Sequence, residues 1–161
     1  MTASLGGRLC FHSLIPPVVL LAVLIGSCEP RPDDYVQFKK LPEEQQRARF
    51  KELSVDKQID YYLYDQNREP ADMILADELA RQGKTILPQL LHRLSAETED
   101  YRRRDLIWIL ELMHRKFEPL NENREVIVTV EQVISRMKEP EWQRMSQKSL
   151  DLIRAEALPQ K

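Results

Sequence analysis

Glycine is scarce in this 161-residue chain: Gly6, Gly7 and Gly26 lie near the start, and Gly83 alone serves everything after residue 28. β-Rich domains draw on glycine for tight turns, and Rossmann and P-loop phosphate cradles need several at fixed spacing, so both classes are disfavoured. Cysteine is as sparse. Cys10 and Cys28 are the two in the chain, which leaves no disulfide framework to staple a fold. The apolar run Leu14–Ile25 falls short of the roughly 20 residues a membrane-spanning helix needs. No basic block occurs beyond Arg102-Arg103-Arg104, and 24 Lys+Arg stand against 26 Asp+Glu for a net charge of −2. Nucleic-acid binding therefore has little electrostatic support.

Charge is distributed unevenly. Arg8 is the one Lys, Arg, Asp or Glu before Glu29, and the segment after it is dense in charge. A cationic start, an apolar stretch and small residues before a cut make up an export signal. Arg8, Leu14–Ile25 and Gly26-Ser27 supply those three parts. Ile25-Gly26-Ser27-Cys28 resembles the lipobox of bacterial lipoproteins. That resemblance implies cleavage after residue 27 and a lipid on the Cys28 sulfur, with the protein held on a membrane of the cell envelope. The alternative is a secreted or periplasmic protein without lipid. Residues 28–40 contain Pro30, Pro32 and Asp33-Asp34 and read as a short extended tether.

From residue 41 to 158 the chain reads as one all-helical domain, with apolar residues recurring three and four apart. Helices are expected over Pro42–Leu53 and Val55–Gln66, the latter capped by Ser54. A third starts at Pro70 and ends near Gly83 as a left-handed cap, and a fourth is opened by Thr85 with Leu87, Leu90, Leu91 and Leu94 on one face. Tyr101–Lys116 is apolar on most sides and should sit in the middle of the array. Glu125–Met137 is β-branched at its start, but Val126, Val130, Val133 and Ile134 keep helical spacing. The last helix, Glu141–Ala155, is expected to bury Trp142, Met145, Leu150, Leu152 and Ile153.

The face Leu87, Leu90, Leu91, Leu94 recurs as Val130, Val133, Ile134, Met137, each member 43 residues on. Two-helix repeats of about 40–47 residues mark HEAT and armadillo arrays. Residues 71–137 resemble such a HEAT-like array, although Met73, Ala76 and Ala80 map onto Leu106, Ile109 and Met113 at 33 residues instead. The expected fold is all-α, a short irregular HEAT-like α-solenoid, with a plain helical bundle as the alternative.

No catalytic or metal-binding constellation stands out, and nothing calls for a cofactor. Glu111 and His114 have the Glu-x-x-His spacing of di-iron bundles, but no second pair accompanies them, so a solvated helix face is expected. Asp56, Asp60, Asp72, Asp77 and Glu78 are read as helix-start and solubility charges. Candidate partner-binding residues are aromatic and arginine side chains, the types that anchor interfaces: Tyr61 and Tyr64 on one stripe, Trp108 and Arg104 on another. HEAT-like modules usually bind proteins, so the expected role is a lipid-anchored envelope protein with an unidentified protein partner. A small hydrolase or metal-dependent enzyme with a site between helices, or an immunity-type inhibitor, are the alternatives.

Overall fold

The computed structural model describes residues 32–66 and 73–155. Cys28 and the leader lie outside the described residues, as do Arg68, Asp72 and the expected start at Pro70. Eight α-helices occur among the described residues: α1 Asp33–Phe38, α2 Glu43–Lys51, α3 Val55–Gln66, α4 Met73–Ala80, α5 Leu87–Ala96, α6 Asp100–Lys116, α7 Arg124–Ser135 and α8 Pro140–Arg154. No strand is found among them. The β-branched run Val126–Val130 belongs to α7, and Asn123 opens that helix by accepting the Val126 N–H at 3.2 Å. Local capping and a buried stripe thus outweigh β propensity.

The helices form two rows. α2, α4, α6 and α8 pack in succession, and α3, α5 and α7 form the second row, with α3–α4, α5–α6 and α7–α8 closing across. α6 is central, touching α3, α4, α5 and α8. Leu87, Leu90, Leu91 and Leu94 are buried on α5, and Val130, Val133 and Ile134 are buried on α7, with buried Met137 just beyond its end. α6 and α8 run parallel in constant register. The Asp100 carboxylate accepts the Lys138 and Glu139 N–H groups at 2.6 and 2.9 Å. Arg104 lies over the Trp142 ring, and Ser149 Oγ donates to Glu111 Oε2 at 2.7 Å.

Several expectations are corrected. The tether does not reach Lys40: α1 is helical, with Tyr35 and Phe38 buried against Phe50 and Tyr61, so the domain begins near Asp33 rather than residue 41. Thr85 caps nothing; Gly83–Thr85 form a 3₁₀ turn and α5 starts at Leu87. Met145 and Leu152 are exposed, while Ser146 and Ser149 take the inward positions of α8. Met73, aligned with Leu106 by the 33-residue offset, is half exposed.

With so little glycine, helix ends are closed by side chains from the next element. Gln46 Nε2 donates to the Leu41 carbonyl at 2.7 Å behind α1. Gln58 Nε2 donates to the Phe50 and Leu53 carbonyls at 3.0 Å each behind α2, while Gln82 Nε2 donates to Gln58 Oε1 at 2.7 Å. Arg103 Nε closes α5 on the Glu97 carbonyl at 2.8 Å, and Gln143 Nε2 reaches the Ile134 carbonyl of α7 at 3.3 Å. These bonds add side-chain donors to carbonyls at helix ends and in the turn after α1, where Phe50 and Ile134 otherwise accept only backbone N–H groups of the closing turn. Gly83 does take the left-handed conformation, with φ +57°. A Cβ there would stand 2.8 Å from Glu118 Oε2, which accepts the Lys84 N–H.

Gln58→Leu keeps bulk but removes both cap bonds and leaves Gln82 Nε2 with the Glu78 carbonyl alone, and should lower unfolding free energy in urea by about 1–3 kcal/mol. Gly83→Ala should cost about 1–2 kcal/mol through backbone strain and displacement of Glu118, read as a lower thermal midpoint.

Candidate functional site

A cleft of about 280 Å³ opens on the α2–α4–α6–α8 row, lined by Arg47, Met73, Ile74, Asp77, Leu112 and Lys116. The first turn of α4 places Met73 at 50% exposure beside Ile74, and the last turn of α6 brings Leu112 and Lys116 opposite. Arg47 reaches over from α2, where Nη1 meets Glu78 Oε1 at 2.7 Å and Nη2 meets Glu43 Oε1 at 3.1 Å. Lys51 adds a 3.3 Å contact to the other oxygen of Glu78. Asp77 joins Lys116 at 3.1 Å and Arg81 at 2.8 Å. Burial alone would raise the Asp77 pKa, but hydrogen bonds from Lys116 and Arg81 hold it below its ordinary value. Far from being helix-start charges alone, Asp77 and Glu78 tie α4 to α6 and α2. Asp60 likewise meets Arg93 of α5 at 2.8 Å.

Beside the cleft runs the outward stripe of α6. Tyr101, Arg104, Trp108 and Arg115 recur three, four and seven apart, so they share one side of the helix. All three carboxylates of α6, Asp100, Asp105 and Glu111, are buried, whereas Arg115 and Lys116 are exposed and Arg102 and Arg104 half-buried. Arg102 stacks over Tyr101 with its guanidinium 5.8 Å from the ring centre, and Arg104 over Trp142 at 5.3 Å. Exposed Met145 and Leu152 lie on α8 alongside.

Of the residues singled out from the sequence, Trp108 is half-buried against the core and Arg104 partly exposed on this face. Tyr61 is not a surface residue: it is 4% exposed, its ring 5.2 Å from Tyr35 and 5.0 Å from Phe38. Tyr64 is half-buried, with its ring 5.5 Å from Tyr35. The unforeseen helix α1 covers the stripe that the two tyrosines would have exposed. Cleft residues Met73 and Lys116 were missed because nothing in a linear pattern brings α2, α4 and α6 together.

Glu111 and His114 are buried, contrary to the solvated face expected. Glu111 holds Ser149 and Arg115. His114 Nδ1 accepts the Leu120 N–H at 2.9 Å. Burial lowers the His114 pKa against the opposing pull of the Ala155 backbone and Glu111, which keeps the ring neutral as an acceptor. No group of three His, Cys, Asp or Glu among the described residues is placed to hold a metal ion. No described helix is long and apolar enough to cross a membrane.

Asp105 is the most perturbed carboxyl on α6. It is 2% exposed, its Oδ1 lies 3.0 Å from Arg104 Nη2 outside hydrogen-bonding geometry, and Arg104 Nε is likewise without a partner. Burial raises its pKa to about 6, with Arg104 pulling the other way. The Tyr62 hydroxyl donates to the Asp105 carbonyl at 2.9 Å, and burial followed by the Asp105 charge pushes that phenol well above its ordinary range. No family model matches the chain, and neither a curated protein nor a solved structure matches it.

Asp105 and Asp100 act on stability with opposite signs. For Asp105 the folded pKa lies above the unfolded value, so its contribution is present below about pH 4 and is lost as pH rises through about 6. Asp100, raised by burial but lowered further by the Glu139 and Lys138 N–H groups and Arg103, contributes above its ordinary value and loses this as pH falls. From these two groups, urea unfolding against pH should therefore show stability highest near pH 4 and declining as pH rises toward about 6. Asp105→Asn should gain about 1–3 kcal/mol at pH 8 and flatten the alkaline side.

Proposed function

We propose that this is a lipid-anchored protein of the bacterial cell envelope whose helical array binds another protein. The anchor rests on Leu14–Ile25 ending in Gly26-Ser27-Cys28, which resembles a lipoprotein signal. Two acyl chains, at about 0.8 kcal/mol per buried methylene, would hold the protein on a bilayer without a spanning helix. The two-row arrangement is in keeping with a HEAT-like solenoid, a fold that presents long surfaces to partners, although fold by itself does not assign function.

The observation that carries the binding role is the composition of the face formed by α4, α6 and α8. Exposed Met73, Met145 and Leu152 lie there with half-buried Trp108 and Trp142 and the arginine Arg104, residue types enriched at interface centres. The cleft of about 280 Å³ stands at the lower end of the sizes found for small-molecule sites. Its lining holds no serine, cysteine or histidine, so no nucleophile meets a base there.

Mass spectrometry of the exported protein should find acylation on Cys28, and Cys28→Ser should leave the membrane fraction. An unchanged distribution for that variant would sink the anchor. Crosslinking in intact cells should join the protein to one recurrent partner, with the yield reduced by Trp108→Ala; an absence of any recurrent partner would count against the binding role.

A further inference from the structure

The three inward carboxylates of α6 are provided for unequally. Asp100 accepts the Lys138 and Glu139 N–H groups and the Arg103 guanidinium, and Glu111 accepts Ser149 Oγ and Arg115. Asp105 is 2% exposed, and its Oδ1 has no hydrogen-bond partner. A carboxylate taken out of water without donors favours its protonated form. Burial accordingly pushes the Asp105 pKa up to about 6, with the Arg104 charge as the opposing pull.

Arg104 forms the other half of this arrangement. Its Nη2 lies 3.0 Å from Asp105 Oδ1 outside hydrogen-bonding geometry, its Nε has no partner, and its guanidinium carbon lies 5.3 Å from the Trp142 ring centre. The guanidinium is thus held inward by charge and not by directed bonds. A cation over an aromatic ring at a partly exposed site is retained only weakly by the ring itself. Once Asp105 is neutral, nothing of opposite charge among the described residues holds the half-buried Arg104 in place.

Groups on the neighbouring helices do not substitute for Asp105. On α3, the Tyr62 hydroxyl donates to the Asp105 main-chain carbonyl at 2.9 Å and is pushed well above its ordinary range, so it stays protonated. Asp65, also on α3, is engaged by Lys39 and Tyr35. On α4, Asp77 pairs with Lys116 and Arg81, and Glu78 with Arg47 and Lys51. Arg93 of α5 pairs with Asp60, and α8 meets Arg104 through the uncharged Trp142 ring. Further along α6, His114 is a neutral acceptor for the Leu120 N–H.

We infer that Asp105 is a proton-operated latch on the outer face: ionised, its carboxylate draws the Arg104 guanidinium in over Trp142, and protonated, it lets that guanidinium swing out and uncovers the indole. Arg104 and Trp142 belong to the face assigned above to partner binding. That the latch regulates binding rests on that reading; the latch itself does not.

The test follows Trp142 in the full acylated protein in neutral detergent, with Trp108→Phe leaving it as the single tryptophan. Quenching by acrylamide, a neutral probe, should rise about twofold as pH falls from about 8 to about 5, with its midpoint near 6 and the circular dichroism of the helices unchanged. Asp105→Asn in this background should give the high value at every pH and no step. Arg104→Gln should do the same, since no guanidinium covers the ring. Quenching that does not change with pH would overturn the latch. So would a step that survives Asp105→Asn, which would assign the titration to another group such as His114. These measurements need no partner. A step with no recurrent partner in crosslinking would keep the latch and remove the binding role, and a recurrent partner with no step would do the reverse.

Discussion

Every α-helix leaves its last carbonyls without partners inside the helix, and a chain with one glycine after residue 28 cannot close eight helices with left-handed glycine turns. The array meets that constraint by borrowing amides and guanidinium groups. Gln46 braces the turn after α1 through the Leu41 carbonyl, Gln58 closes α2, Arg103 closes α5 and Gln143 reaches back to α7. Most of these caps come from the following helix, so helix termination and helix stacking are one event. Gln82 extends the device by holding Gln58 in place from beyond α4. An isolated pair of these helices would lose the cap supplied by the next, and cooperativity along the array follows.

Charged side chains extend the coupling across rows. Asp100 is the clearest case, since its two oxygens accept the N–H groups that precede α8 and the guanidinium of Arg103, which in turn closes α5. One side chain thus sets the junction of three helices. Glu78 does similar work between α2 and α4, drawing Arg47 and Lys51 toward a nearly buried carboxylate. Exposed pairs such as Arg49–Glu52 contribute little to stability by comparison.

Much of this fold was legible in the sequence, and its failures have physical causes. The faces of α5 and α7 were visible because their inward positions are apolar throughout and buried. In the other row, α8 turns Ser146 and Ser149 inward. A hydrophobic pattern cannot detect a serine that is buried because Glu111 needs a donor. The same blindness turned Met145 and Leu152 inward on paper. Tyr61 and Tyr64 looked exposed because α1 is only six residues long, too short to announce itself by periodicity. The cleft lies between three helices distant in sequence, so only its individual members were open to inspection.

Asp105 departs from the pattern of satisfied inward carboxylates, and its position makes that departure informative. Asp100 and Glu111 each gain strong donors, whereas Asp105 is buried beside one arginine with poor geometry and a raised pKa of about 6. Such a group costs stability, and sites where a chain forgoes available stability are often where function has set the sequence. Its one contribution on the outer face is to hold the guanidinium of Arg104, whose other contact is the Trp142 ring. An aliphatic residue at 105 would relieve the burial and leave Arg104 free to leave Trp142. The Asp105 carboxylate thus attracts the guanidinium that lies over Trp142 and biases Arg104 toward that ring, and side chains arranged in advance lose less entropy when a surface is covered.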